Sequence, residues 1–483
     1  MSTRRYHPRP CTVPAAGLAG EMTVTLCLGG LVLLLPWLLP QRTPELLALS
    51  GLVLLGAALV AALGASLARF NERADFGLPG TGWWAVFGIV SAVVLLQVMP
   101  ITSLARWFGP YPETFWQLEQ FEPRTWSPNP AASIRGWAVF AALFTLAWLA
   151  GQLRDTHRNW IWLAVAMAAT LQAGYGLLAH SVGLEMGIAN EVEGRSRALQ
   201  GSFSNRNLFA AYLALSWPLV VAVWWLRDMP LIGSLPRELR ITGSLLAGSI
   251  VGAAIFASAS RLGAMAGVFG AVAGVLLLTR YRGRLTGFAL WPASLVLLGT
   301  FIVAVWIGLE PLTGRLAATD AEEYRLVAFA LMFREFPWSW WLHGVGLGGF
   351  EAVFKLIQTD QVSGWWDYAH SDLIQWTLEM GLPGVIVLAL VIGGLITRFG
   401  LTLERIPLYA GLLALAVVAL GDFSWHMPAT QVVLAIYIGV LLQPARNGHR
   451  EGARGRHEKV DEGRPVRRRR RRRSGGLRQD LLN

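Results

Sequence analysis

The chain has 483 residues and a formal net charge of +11, and 54% of its residues are hydrophobic whereas only 15% are charged. A soluble protein carries about a quarter charged residues, so this composition excludes an ordinary soluble domain. The apolar residues form runs of about 20, the length that crosses a bilayer as a helix. The only cysteines are Cys11 and Cys27, which excludes a disulfide framework and a cysteine-rich metal site.

The hydropathy pattern predicts an all-α polytopic membrane protein with about 12 transmembrane helices, because runs this long and apolar satisfy their backbone groups in lipid only as helices. Residues 1–21 precede the first span, and no small-residue cleavage site follows it, so we expect a retained helix and not a signal peptide. In chain order, the predicted spans are residues 22–39, 45–67, 82–103, 134–151, 159–182, 207–226, 241–258, 262–279, 286–309, 383–399, 406–423 and 428–443.

The arginines predict which side of the membrane each loop faces, because short cytoplasmic loops are rich in basic residues. Every second loop is basic, and we expect these loops and both termini to be cytoplasmic. The arginines of these loops are Arg69, Arg73, Arg154, Arg158, Arg227, Arg237, Arg240, Arg280, Arg282, Arg284, Arg398 and Arg405.

The opposite, outward side receives a segment, residues 310–382, that is far longer than a connector needs to be. Long loops on a rigid scaffold usually carry function. Within it, the segment Glu322–Phe336 has helical spacing, which predicts a helix with Leu326, Ala330 and Phe333 on one apolar face. Its tryptophans fit the membrane interface. The other outward pieces are residues 104–133, 184–206 and 259–261.

Residues 444–483 form an Arg-rich tail, with an unbroken arginine run from Arg467 to Arg473. This composition predicts disorder. We expect the run to anchor against anionic lipids on the cytoplasmic side. Nucleic-acid binding would require aromatic or folded context, and this segment has no aromatic residue.

Arg261 and Arg197 are candidates for binding an anion on the outward side. Arg261 opens the eighth span within ASASRLGAMAG, and Arg197 lies with Arg195 in the loop that leads into the sixth span. An arginine at a membrane edge is costly without a partner, and its planar fork fits phosphate oxygens. The alternatives are a topology marker for Arg261 and a surface pair with Glu191 or Glu193 for Arg197.

Further candidates for substrate binding flank these arginines. Arg206 and Asn207 end the same loop, where Asn205 or Asn207 fits a cap for the following helix. Arg325, in AEEYRLVAF, is another outward cation. It either binds substrate or pairs with Glu322, and the sequence leaves both open.

His370, in WWDYAHSDLIQW, is the candidate general base. An imidazole with an ordinary pKa near 6.5 can accept a proton from a hydroxyl group at neutral pH. A carboxylate could orient it, and Asp367 and Asp372 are near in sequence. The alternative is a hydrogen-bonded structural histidine. Other outward histidines compete for the role: His180, His343 and His426.

Four stretches in this order resemble the O-antigen ligase and O-antigen polymerase family. The resemblance covers residues 195–440, while the earlier spans match only in hydropathy. One departure is Arg206, at a position where members often have proline. The stretches are RALQGSFSNRNLFAAYLAL, then ASRLGAMAG, then YRLVAFALMFREFPW with GVGLGGFEAVF and AHSDLIQWTLEMGLPGVI, and finally DFSWHMPATQVVLA.

The resemblance implies a GT-C-type membrane glycosyltransferase of lipopolysaccharide or polysaccharide biosynthesis in the bacterial inner membrane. Such proteins move a glycan from undecaprenyl diphosphate to an acceptor hydroxyl, such as one on lipid A-core, at the periplasmic face, without a metal or other cofactor. Carried over to this chain, Arg197 and Arg261 would hold the diphosphate, and His370 would help to activate the acceptor hydroxyl. Loop 310–382 would then be periplasmic.

Three other functions remain open at this point. A polysaccharide polymerase uses another glycan as acceptor, and a protein O-oligosaccharyltransferase uses a protein. An anion transporter also fits about twelve spans, but the sequence shows no repeat between its halves and no charged residue deep within a predicted span.

Overall fold

The structure is a computed structural model of the chain. It describes residues 15–38, 44–70, 79–117, 123–182, 199–226, 228–283, 320–360, 362 and 364–444. The part of the chain up to Gln443 forms one compact unit. The Arg-rich tail beyond Pro444 and the first part of the predicted N-terminal segment lie outside the described residues.

The described residues form helices, turns and irregular segments, with no strand among them, in agreement with the all-α prediction. Two short 3₁₀ helices, Glu113–Gln117 and Ser424–His426, accompany the α-helices. The α-helices are α1 (Ala15–Leu38), α2 (Pro44–Phe70), α3 (Thr81–Val98), α4 (Thr102–Phe108), α5 (Pro130–Gln152), α6 (Asp155–Ser181), α7 (Arg206–Ala222), α8 (Arg237–Ala257), α9 (Arg261–Arg282), α10 (Asp320–Glu335), α11 (Trp338–His343), α12 (Phe350–Phe354), α13 (Asp372–Thr397), α14 (Arg405–Ala419) and α15 (Pro428–Leu441).

Eight of the described helices are long and apolar enough to cross a membrane, which makes the chain a multi-pass membrane protein. Three more, α7, α14 and α15, are apolar but shorter. These helices overlap the predicted spans, and the remaining predicted span, 286–309, lies outside the described residues. The total of twelve spans therefore stays a prediction.

Helix α7 lies at the centre of the bundle. All its residues from Leu208 to Trp217 are buried, and it packs against α6, α8, α9 and α14. A helix that is apolar on every side is typical of such a buried position. This position explains how a helix of only 17 residues is accommodated, since its neighbours cover both its length and its faces.

Several helix ends differ from the predicted span ends. Helix α8 begins at Arg237, so Arg237 and Arg240 lie in its first turn and not in a loop. Helix α14 ends at Ala419, four residues before the predicted end, and residues 420–427 connect it to α15. Polar first turns obscure helix starts in hydropathy, because the helix extends beyond its apolar part.

The largest correction concerns α13, which begins at Asp372 and not near residue 383. The helix is broken at Gly381, where φ is 61° and ψ is −154°, so two helical pieces join across a kink. The first piece contains the fully buried Glu379. Glu379 lies before the predicted start of this span, so the helix contains a buried carboxyl group that the predicted span leaves out.

The long predicted loop 310–382 is folded over the part that the structure describes. Helices α10, α11 and α12 share a second apolar core with the start of α13. Helix α10 confirms the predicted helix, but its predicted face is wrong: Leu326 and Phe333 are exposed, and the buried side holds Ala328, Met332 and Phe336. The spacing of apolar residues on α10 fits two faces, and packing within this second core selects the other one.

The glycine-rich stretch HGVGLGGF packs on the kink of α13. Gly344, Gly346 and Gly348 have φ of 82°, 111° and 72°, values that glycine adopts without strain in tight turns. The backbone N–H groups of Val345 and Gly346 donate to the carbonyls of Leu378 and Glu379, at 2.9 and 3.1 Å. The stretch therefore supplies hydrogen-bond donors to two carbonyl groups beside the kink, and these bonds attach the folded loop to α13.

Candidate active site

Helices α7, α9 and α14 meet at one end of the bundle. Gly263, in the first turn of α9, lies so close to Ala210 in the first turns of α7 that a side chain at Gly263 would collide with it. Gly421 follows the end of α14, and a Cβ built there would lie 3.3 Å from Cδ2 of Leu262. The candidate residues at the starts of α7 and α9 are thereby brought to the end of α14.

The start of α13 joins the same place. The backbone N–H of Asp372 donates to the carbonyl of Asp422 at 3.0 Å, and the hydroxyl of Ser371 donates to the carbonyl of Ala419 at 3.2 Å. Both acceptors belong to the end of α14 and its connection to α15. Four helix ends therefore surround one region of the molecule.

Each of the three helix starts carries a side-chain cap. Asn205 caps α7 by accepting from the N–H of Asn207 at 2.7 Å, which decides between the two predicted asparagines. Ser260 caps α9 by accepting from Gly263 N–H at 3.1 Å, and Ser371 caps α13. These caps fix the backbone immediately beside Arg206, Arg261 and His370.

His370 lies opposite a buried carboxylate. Its Nδ1 atom is 3.8 Å from Oδ1 of Asp422, and Nδ1 itself is buried. The imidazole side chain is 24% exposed. Because Nδ1 is buried, this exposed surface belongs to the side-chain atoms other than Nδ1. The rings of Trp366 and Phe423 meet it edge-on at 5.0 and 5.1 Å between centroids.

The backbone of His370 is strained, since its φ of 51° lies in the left-handed region. Non-glycine residues adopt this region at a cost of order 1–3 kcal/mol. At His370 the chain changes direction, and the next residue, Ser371, is extended with φ of −154°. The imidazole thereby lies just outside the capped start of α13, beside Asp422.

Asp422 is fully buried, and its Oδ1 accepts the backbone N–H of Phe423 at 2.9 Å. Burial raises the pKa of this carboxyl group. The neighbouring His370 and the charge of Arg325 oppose that effect and together bring the pKa below its ordinary value. Asp422 is therefore an ionised group at neutral pH.

Arg325 is held by the same connection. Its Nη1 donates to the carbonyl of Gly421 at 2.9 Å, and its Nη2 lies 3.6 Å from Oδ2 of Asp422. The predicted alternative partner, Glu322, has a side chain outside the described part of the structure. The guanidinium of Arg325 forms an ion pair with the carboxylate of Asp422. The sequence did not predict this partner.

A second histidine–carboxylate pair lies beside the first. The Nδ1 atom of His426 is 3.0 Å from Oδ1 of Asp372, a fully buried residue. Asp372 also accepts the backbone N–H of Trp425 at 3.0 Å and the hydroxyl of Ser424 at 3.2 Å. The Asp372 carboxylate near His370 in sequence is thus paired with His426.

The remaining predicted site residues fall into two groups. Arg261, Arg206 and Asn207 are half-buried at the starts of α9 and α7, beside the region that contains Asp422. Arg195 and Arg197 lie outside the described residues, as do Glu191 and Glu193. The sites predicted for these residues stay predictions.

Sequence reasoning missed Asp422. It lies within the stretch DFSWHMPATQ and near the end of the predicted span 406–423. One signal was available: Asp422 is the one acidic residue between the two apolar runs of α14 and α15. A carboxylate at a helix end on the outward side was a candidate partner for an outward cation.

The arrangement can support proton transfer from a hydroxyl group. An imidazole with one buried nitrogen facing a carboxylate and with accessible ring surface can accept a proton, and the carboxylate can orient the ring. Among the described residues, no group of three or more histidine, cysteine, aspartate or glutamate side chains could hold a metal ion.

Comparison with known proteins supports a family relationship. Residues 246–389 match the family model described as O-antigen ligase. The matched segment contains Arg261, Arg325 and His370, and it excludes the stretches around Arg206 and Asp422. No curated protein matches the chain. Over this segment the family match agrees with the resemblance noted in the sequence.

Proposed function

We propose that this protein is an O-antigen ligase-like glycosyltransferase of the bacterial inner membrane. It moves a glycan from undecaprenyl diphosphate to an acceptor hydroxyl at the periplasmic face, with lipid A-core as the leading acceptor. Both termini are cytoplasmic in this proposal, and the Arg-rich tail contacts anionic lipids. The fold is of the GT-C type and needs no metal.

One observation carries this proposal, namely the pairing of His370 with the buried Asp422 at 3.8 Å. An oriented imidazole whose carboxylate partner is itself balanced by Arg325 is suited to act as a base. A transporter does not need a strained histidine of this kind beside a buried carboxylate, so the pairing favours an enzyme.

Arg261 and Arg197 supply the complementary function. The glycosyl diphosphate is a good leaving group once its developing charge is stabilised, and fixed cations in a site that excludes water give such stabilisation. Arg261 begins α9, where the partial positive charge of the helix start adds to its own. In this proposal, Arg261 and Arg197 bind the diphosphate oxygens, and Arg206 and Asn207 border the same site.

The reaction follows as a single displacement. The acceptor oxygen forms a bond to the anomeric carbon while the bond from that carbon to the diphosphate oxygen breaks. The acceptor proton passes to the accessible nitrogen of His370, and the electron pair leaves with undecaprenyl diphosphate. We expect inversion at the anomeric carbon, since one displacement occurs.

A gene disruption tests the proposal. The surface polysaccharide and the lipid-linked pool are analysed in the disrupted strain and in the same strain carrying the wild-type or His370→Ala protein. We expect full-length chains to accumulate on undecaprenyl diphosphate while the acceptor stays bare, and we expect only the wild-type protein to reverse this. Unchanged pools would contradict the proposal.

The same experiment separates the nearest alternatives. Single repeat units in place of long chains would identify a polymerase, which uses the same donor chemistry with a glycan as acceptor. Loss of glycan from proteins, with normal lipopolysaccharide, would identify a protein O-oligosaccharyltransferase. A ligase would instead leave long chains on the lipid carrier, which neither alternative predicts.

A further inference from the structure

The two histidine–carboxylate pairs are crossed. The segment 370–372 supplies His370 and Asp372, and the segment 422–426 supplies Asp422 and His426. Each histidine is paired with the carboxylate of the other segment, at 3.8 Å for His370 and 3.0 Å for His426. His426 is therefore built into the same junction as the proposed base.

Aromatic rings connect the two imidazoles. Tyr368 stacks on Phe423 with a centroid distance of 4.4 Å and an interplanar angle of 6°. His426 lies 5.0 Å from the Tyr368 ring, and His370 lies 5.1 Å from the Phe423 ring. Both imidazoles therefore contact the same stacked pair, which keeps them in a fixed relation.

His426 has one ring nitrogen engaged and part of its ring exposed. Its Nδ1 donates to the carboxylate of Asp372, because a carboxylate can only accept. Its side chain is 29% exposed, so part of the ring is accessible to a ligand. In the protonated ring, Nε2 is therefore a charged donor available to a ligand.

The surroundings of His426 favour the protonated ring. Burial lowers its pKa, but the hydrogen bond and charge of Asp372, with the charge of Glu379, outweigh burial and raise the pKa above 6.5. The neighbouring elements add Tyr368, beside its ring, and Asp422, which is paired with His370 and Arg325. Helix α15 has no charged residue, and the charged residues of α7 and α14 are Arg206 and Arg405.

We propose that His426 is a further donor-binding residue, an imidazolium held by Asp372 that donates from Nε2 to a phosphate oxygen of the lipid-linked diphosphate. This inference rests on the proposed function. It assigns different tasks to two similar side chains: His370, at the longer distance from its carboxylate, accepts the acceptor proton, whereas His426 remains charged and binds the leaving group.

Direct binding tests this proposal without turnover. Farnesyl diphosphate is titrated into the full-length protein in phosphatidylcholine nanodiscs, at about pH 6.5 and about pH 8.5, the two sides of the ordinary histidine range. The wild-type protein is compared with H426Q, H426K and H157Q. His157 is the matched control, because it also contacts a carboxylate, Glu21 at 3.3 Å, but it lies in the first turn of α6.

We expect H426Q to weaken binding about tenfold at the lower pH, as for loss of one charge-assisted hydrogen bond, and to flatten the pH dependence. H426K should retain affinity at both pH values, because lysine stays charged. H157Q should bind as the wild type does. If H426Q fails to fold, H426K alone tests the proposal: retained affinity at both pH values supports it, and lost affinity in folded H426K contradicts it.

Three results would overturn the proposal. The first is that folded H426Q binds farnesyl diphosphate with the same affinity and the same pH dependence as the wild type. This result would leave the proposed function intact. The second is equal displacement of the probe by phosphatidylglycerol, which would identify a general phospholipid site. The third is a wild type that binds no isoprenoid diphosphate at all, and this removes the proposed function as well.

Discussion

The Nδ1 atom of His370 lies 3.8 Å from Oδ1 of Asp422, although the two residues belong to different helix connections. The contact exists because the start of α13 is bonded to the end of α14 through the N–H of Asp372 and the hydroxyl of Ser371. The site therefore depends on how two helix ends are joined, and less on the helices themselves.

Replacing Asp422 tests this relationship. In Asp422→Asn the carboxylate that faces Nδ1 of His370 is lost, and we expect turnover to fall about 10²–10⁴-fold, the contribution of a general base. Turnover is measured with purified protein and a lipid-linked donor. Asp367→Asn is the matched control, because Asp367 is closer to His370 in sequence but is exposed. An equal loss in both variants would contradict the pairing.

Arg325 and Asp422 should prove energetically coupled. Arg325→Gln removes the guanidinium that lies 3.6 Å from the buried carboxylate, and we expect the free energy of unfolding to fall by about 1–3 kcal/mol. In the Arg325→Gln/Asp422→Asn double variant, the loss should be smaller than the sum of the single losses, since neither partner then remains buried and charged. Additive losses, measured by denaturant unfolding in detergent, would show that the two side chains act independently.

The helices and some of the site could be predicted from the sequence, and the reasons are physical. Apolar runs identify membrane helices because lipid allows few alternatives, and Arg261 and His370 stood out because charged residues beside such runs are unusual. The partner of His370 could not be predicted, since Asp367, Asp372 and Asp422 differ only in tertiary position. Similarly, the early start of α13 was hidden because Asp372, Gln375 and Glu379 interrupt its apolar pattern.

The position of Arg261 within α9 provides a sharp comparison. Arg261→Ala should reduce turnover about 10²–10³-fold, because a fixed donor to the developing charge is lost. Arg280→Ala removes the same side chain type from the last turn of the same helix, and we expect turnover there to stay within about twofold of the wild type, since such surface changes are usually small. Both variants are assayed at equal amounts of inserted protein, and a similar loss from Arg280→Ala would indicate that α9 responds to charge in general.

The junction between the glycine-rich stretch and the kink of α13 should tolerate no side chain. Gly344 has φ of 82°, and a Cβ there would lie 2.5 Å from the carbonyl oxygen of Glu379, so Gly344→Ala should lower the melting temperature and reduce activity. Gly393, within α13, is the control, because no atom lies within 4 Å of a Cβ built at that position. Gly393→Ala should instead stabilise the helix by about 0.5–1 kcal/mol. Thermal unfolding in detergent measures both, and a stabilised Gly344→Ala variant would contradict the close packing.

The pair His426–Asp372 should make stability depend on pH in a known direction. The folded protein raises the pKa of His426 above its ordinary 6.5, so it binds a proton more tightly than the unfolded chain does. The resulting stabilisation is complete below the unfolded pKa and is lost as pH rises through the folded pKa. We therefore expect His426→Gln to lower the free energy of unfolding by about 1–2 kcal/mol more at about pH 6 than at about pH 9. In an Asp372→Asn background the same substitution should show a smaller difference, since Glu379 is then the remaining carboxylate that raises the pKa of His426. A difference of equal size in that background would mean that another group, and not Asp372, binds the proton of His426.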